Sequence, residues 1–65
     1  MPSNYTRALK KALRDSGCVF VRQCKGDHEL WWSPHSNHKF VVDSKIKSRM
    51  LANEVLKQAG LPPQF

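Results

Sequence analysis

Turn formers punctuate the middle of this chain so closely that only short strands fit between them. Lys25-Gly26-Asp27-His28 reads as a tight turn, because Gly26 and Asp27 both favour turn backbones. Pro34 to Asn37 reads as a second turn, with Pro34 stopping the run before it. The segments between these signals are rich in β-branched, aromatic and thiol side chains. They predict strands over Cys18 to Lys25, Glu29 to Ser33 and Lys39 to Asp43. Tight turns join antiparallel neighbours, so the three form a meander.

Helical patterns lie on either side. Tyr5, Ala8, Leu9, Ala12 and Leu13 recur at helical spacing behind a cap at Ser3 or Asn4. Arg7, Lys10, Lys11 and Arg14 fall on the other face, and Gly17 ends the helix. A second helix starts near Ser48 with an apolar stripe of Leu51, Ala52, Val55, Leu56 and Ala59. Gly60 ends it, and Leu61-Pro62-Pro63 cannot continue it. The expected fold is therefore α+β in the order αβββα, with a three-stranded antiparallel sheet and both helices on one face. It forms one domain over residues 1–65, with 61–65 as a C-terminal tail.

A chain of 65 residues buries only about 60% of its unfolded surface, which allows one core but no deep cavity. Eleven Lys and Arg against five Asp and Glu leave a net charge of +6. Polyanions are the natural partners, RNA or DNA first, and an acidic protein fits the same charge. Cys18 and Cys24 lie on one extended strand, six steps or ~20 Å apart, beyond reach of a disulfide or of a shared metal. Reduced thiols and the lack of a long apolar run point to a cytoplasmic protein.

Covering one face of the sheet with both helices leaves the other face open. Strand two alternates His28, Leu30, Trp32 with Glu29, Trp31, Ser33, so whichever set faces inward, one tryptophan stays outside. Beside basic residues, that indole is a base-stacking platform or a partner contact, unless a loop or the tail covers it.

Histidine is the side chain whose ordinary pKa suits proton transfer near neutrality. RNA is cut without metal when a base takes the 2′-OH proton and that oxygen attacks the neighbouring phosphate. His28, after the Gly turn and beside Lys25, suits that role. His35 and His38 lie beyond the far end of strand two, ~16 Å away, and read as solvated turn residues. Strand three returns toward the start of strand two, bringing Asp43, Ser44 and Lys45 near His28. Arg22 and Lys25 on one side, and Lys45, Lys47 and Arg49 on the other, are the candidate RNA contacts. The start of the second helix is expected close by, with free N–H groups for an anion. The histidines and cysteines lack the paired spacings of zinc sites, so no metal or other cofactor is expected.

The run Arg22-Gln23-Cys24-Lys25-Gly26-Asp27-His28-Glu29-Leu30-Trp31, then Ser33-Pro34, resembles the strand-turn-strand signature of HicA toxins. Ile46-Lys47-Ser48-Arg49, Ala52-Asn53 and Leu56-Lys57-Gln58-Ala59-Gly60-Leu61 look like that family's last helix. The similarity covers nearly the whole chain. It implies a fold like the double-stranded-RNA-binding domain, a messenger-RNA endonuclease activity with its catalytic histidine at His28, and a HicB antitoxin partner. Two places depart from the family pattern. Asp27 stands where many members have Ser, and Glu29 and Val42-Asp43-Ser44 stand where many have a second histidine. The general acid is thus unassigned, with Lys25 and Lys45 as candidates. A non-catalytic RNA-binding module, or a basic interaction protein of the same fold, stays open as an alternative.

Overall fold

A computed structural model describes residues 4–65. Its elements run α1 (Thr6–Asp15), β1 (Val19–Gln23), β2 (His28–Ser33), β3 (His38–Asp43) and α2 (Arg49–Gln58). The three strands form one antiparallel sheet in the order β1-β2-β3. This is the α+β architecture that the turn and periodicity signals predict. No helix among the described residues is long and apolar enough to cross a membrane.

The phase of β2 is set by its partner strand. Trp31 pairs with Phe40 and Glu29 with Val42, whereas Trp32 pairs with Lys39 and His28 with Asp43. Directly paired residues share a face. The apolar pair of β3 therefore draws Trp31 inward, where it is 1% exposed, and leaves Trp32 on the open face. Beneath the sheet, Leu9 and Leu13 of α1 and Ala52, Val55, Leu56 and Ala59 of α2 close over Trp31, Phe40 and Val42. Two polar groups enter this layer with their partners. The Trp31 indole N–H donates to Glu29 (3.0 Å), and the buried Ser33 hydroxyl donates to the Ala59 carbonyl (2.6 Å).

The helices cover less than the periodic stripes suggest. Ala8 is exposed and Leu51 is 57% exposed, although both fall on predicted apolar faces. Two ten-residue helices on so small a sheet bury only a narrow stripe each, and the first turn of α2 lies outside it. All five residues of β1 are exposed, so the sheet projects past the helices along that edge. The tail folds back against the helices: Phe65 meets Tyr5 edge-on, and Asn53 binds the backbone of Gln64 and Phe65. The N-cap of α1 is Tyr5 and not the expected Asn4; Tyr5 makes no side-chain cap bond, while Asn4, one residue earlier, accepts from the Thr6 N–H (2.8 Å). The alternative cap, Ser3, lies outside the described residues.

Candidate active site at the edge of the sheet

The site starts from the turn between β1 and β2. Gly26 takes a left-handed backbone (φ 72°), which closes the turn without a Cβ penalty. Cys24 N–H donates to the His28 carbonyl (2.8 Å), and the Gln23 side chain bridges the Gly26 and His28 carbonyls. These bonds hold His28 as the first residue of β2, with its side chain 52% exposed.

Across the ladder, His28 Nε2 stands 3.5 Å from Asp43 Oδ2. The other Asp43 oxygen accepts the Lys45 N–H (2.9 Å). Lys45 Nζ reaches to 3.9 Å from Asp27, and Ser44 N–H donates to the Asp27 carbonyl (3.1 Å). One imidazole, one carboxylate partner and one lysine thus meet where the first turn touches the end of β3. Asp43 was expected near His28 but carried no role, because a lone aspartate at a strand end gives no signal until its register partner is known.

The segment after β3 is anchored differently from expectation. The buried Thr6 hydroxyl donates to the Asp43 carbonyl (3.3 Å) and accepts from Ile46 N–H (3.0 Å). Tyr5 N–H donates to the Ile46 carbonyl (2.7 Å), and the Asn4 side chain to that of Ser44 (3.2 Å). The helix start tied to this edge is therefore that of α1. The α2 start is capped locally, by the Ser48 hydroxyl accepting from Met50 N–H. An open groove lined by Arg7, Lys10, Lys11 and Arg14 runs from Ser44 along α1. Those four cations were legible as the outer face of α1, but not their continuity with the site.

The candidate RNA contacts divide. Lys45 belongs to the His28 cluster. Lys25 sits in the turn itself, and Arg22 pairs with Leu30 on the open face. Lys47 and Arg49 are exposed beyond buried Ile46, and among the described residues neither pairs with a carboxylate. His38 lies at the opposite end of the ladder, paired with Ser33. His35 is exposed, yet its Nε2 lies 2.6 Å from the Ser16 carbonyl, so it ties the second turn to the end of α1. Cys18 and Cys24 are free thiols. Among the described residues, no three His, Cys, Asp or Glu side chains converge as metal ligands would.

Glu29 neighbours the site from the helix side. Burial alone would raise its pKa. Hydrogen bonds from Lys10 (2.9 Å) and Trp31, with the charges of Lys10 and Arg14, outweigh that and hold it below its ordinary value.

One family's sequence model, described as HicA toxin of bacterial toxin-antitoxin, matches residues 6–61. The chain belongs to the HicA toxin family. Membership makes it the toxin of a toxin–antitoxin system, with a HicB antitoxin as the implied partner. No curated protein and no solved structure matches the chain. Within the matched span of this HicA chain lie the whole His28 cluster, the open face of the sheet and both helices.

Proposed function

We propose that this HicA toxin is an endoribonuclease that cleaves messenger RNA without a metal, with His28 as its catalytic base. The observation that carries the reading is the half-exposed His28 imidazole 3.5 Å from Asp43, in a cluster that Lys45 joins through its backbone N–H to Asp43 and its ammonium near Asp27. A neutral imidazole takes the proton of a ribose 2′-OH. The 2′-oxygen then forms a bond to the adjacent phosphorus as the bond from phosphorus to the 5′-oxygen breaks. The products are a 2′,3′-cyclic phosphate and a 5′-hydroxyl, whose proton comes from a general acid or water. Asp43 faces the imidazolium that forms and favours it electrostatically, in the manner of an orienting carboxylate. Lys25, Lys45 and Arg22 offer cations for the phosphate, and Lys25 or Lys45 can supply the leaving-group proton. Lys47 and Arg49 extend the basic rim for outer phosphates.

His28→Ala tests this directly. Removing a positioned base costs about 10²–10⁴ in rate, so cleavage of a defined RNA and the growth arrest should both disappear while the fold persists. Cleavage by the parent should continue in EDTA and stop at a 2′-deoxy position. If His28→Ala cuts as the parent does, or if DNA is cut equally well, the mechanism is wrong. The basic edge would then describe a non-catalytic RNA-binding module.

A further inference from the structure

Trp32 is half-buried on the face of the sheet opposite the one that the two helices of the described residues cover. Neither feature proposed to cover it does so: the tail is pinned to α2 and Tyr5 on the helix side, and the second turn is tied to Ser16 and the end of α2. Along β2 the indole follows His28 and Leu30 on the same face, four residues or ~13 Å from the imidazole. Across the strands it is paired with Val19 on one side and Lys39 on the other, and Arg22 is paired with Leu30. Val41, paired with Leu30, completes an apolar floor. A flat aromatic set in aliphatic side chains, with one exposed cation (Lys39) at its side, a second (Arg22) beside the next residue of its row and a proton-transfer group at the end of that row, has the make-up of a single-strand platform.

We propose that the open face binds unpaired RNA, with one base stacked on Trp32, Arg22 and Lys39 on the flanking phosphates, and the strand leading to His28. The proposal rests on the ribonuclease reading and names its substrate class. In a duplex every base is already stacked between neighbours, so a stacking platform selects single strands even on a fold otherwise suited to duplex RNA. Charge complementarity and continuity with His28 favour RNA over an apolar protein surface as the occupant of this face.

The two tryptophans make the test clean. Trp31 is sealed in the core with its N–H bonded, so only Trp32 can be quenched by a stacked base. The probe is an unstructured RNA of roughly 12 nucleotides, titrated into His28→Ala protein so that it stays intact. The single strand should quench part of the emission, and a duplex of equal length should not. Adding Trp32→Ala should weaken binding about 5- to 150-fold, whereas Trp32→Phe should stay within about fivefold. Should Trp32→Ala not fold, as judged by the near-UV signal of Trp31, Trp32→Leu replaces it, because leucine keeps the floor apolar but cannot stack. Lys39→Gln should flatten the salt dependence of binding by about one unit of slope.

Absent quenching, equal quenching by duplex, or undiminished affinity without the aromatic ring would overturn the platform. The two proposals fail separately. If Trp32→Leu cuts RNA with an unchanged KM while His28→Ala is inactive, the platform is lost and the nuclease stands. If His28→Ala still cuts while Trp32→Leu loses affinity, the reverse holds.

Discussion

Glu29 offers the sharpest test of how the helices are held on the sheet. Its carboxylate accepts from Lys10 Nζ (2.9 Å) through one oxygen and from the Trp31 indole (3.0 Å) through the other, joining α1 to β2. Glu29→Gln keeps the shape but leaves one acceptor, because the amide nitrogen can only donate. One of the two donors then loses its partner. A hydrogen bond involving a charged group contributes about 1.5–3 kcal/mol. Both side chains of the ion pair are about one-fifth exposed (22% and 19%), so water recovers part of that and the loss should be about 1.5–2 kcal/mol. In a domain this small each kcal/mol moves Tm by roughly 4–8 °C, giving a drop of about 6–16 °C at neutral pH by near-UV circular dichroism. The pH dependence follows from the lowered carboxyl pKa. A depressed folded-state pKa contributes stability above the unfolded value, near 4.5, and loses it as pH falls through the folded value. The gap between parent and variant should therefore narrow below about pH 4.5. A variant melting within a degree or two of the parent at neutral pH, or a gap that does not narrow on acidification, would refute the reasoning.

Gly60→Ala should destabilise for two reasons at once. The backbone there is left-handed (φ 76°), and an added Cβ would lie 3.2 Å from the Ser36 nitrogen and 3.3 Å from His35. The conformational part alone costs about 1–2 kcal/mol, so a Tm loss of about 4–16 °C is expected; an unchanged Tm would show that the second turn yields freely. Asp43→Asn keeps an oxygen for the Lys45 N–H but removes the charge facing His28. An ion pair this exposed contributes about 0.2–1 kcal/mol, so cleavage should slow by no more than about fivefold. A loss as deep as that of His28→Ala would mean that Asp43 moves a proton itself.

How much of this was legible in advance depended on how local each cause is. The two turns, the strand order and the helix ends follow from Gly26, Pro34, Gly60 and their neighbours, whose backbone preferences act within a few residues. The pairing of the His28 and Asp43 ends of their strands was legible as well, because antiparallel strands joined by a short turn leave little freedom of register. The choice between Trp31 and Trp32 was not, since either phase of β2 places one indole inward. What decides it is the β3 alternation of Phe40 and Val42, read across the ladder, together with the bonds that let Glu29 and Ser33 share the inner face. The role of Thr6 was invisible for a similar reason. A threonine in the first turn of a helix looks indifferent until its hydroxyl meets Asp43 and Ile46, far along the chain.

The distribution of charge bears on how one basic surface would serve both the polyanion and the proton-transfer site proposed above. Four of the five acidic residues stand within ion-pair distance of a partner: Asp15 with Lys11, Asp27 with Lys45, Glu29 with Lys10 and Asp43 with His28. Three of the eleven cations are thereby engaged. The other eight, Arg7, Arg14, Arg22, Lys25, Lys39, Lys47, Arg49 and Lys57, have no ion-pair partner among the described residues. In the proposed function this unpaired excess would attract phosphates, and it lies on the groove along α1 as well as on the open face, so it would not by itself dictate where a strand lies. Position must come from short-range contacts that only one face offers. On the open face those are Trp32 and His28 on the same row of β2, which is why loss of Trp32 should alter where and how tightly RNA sits, while loss of any one cation should weaken binding evenly across sequences.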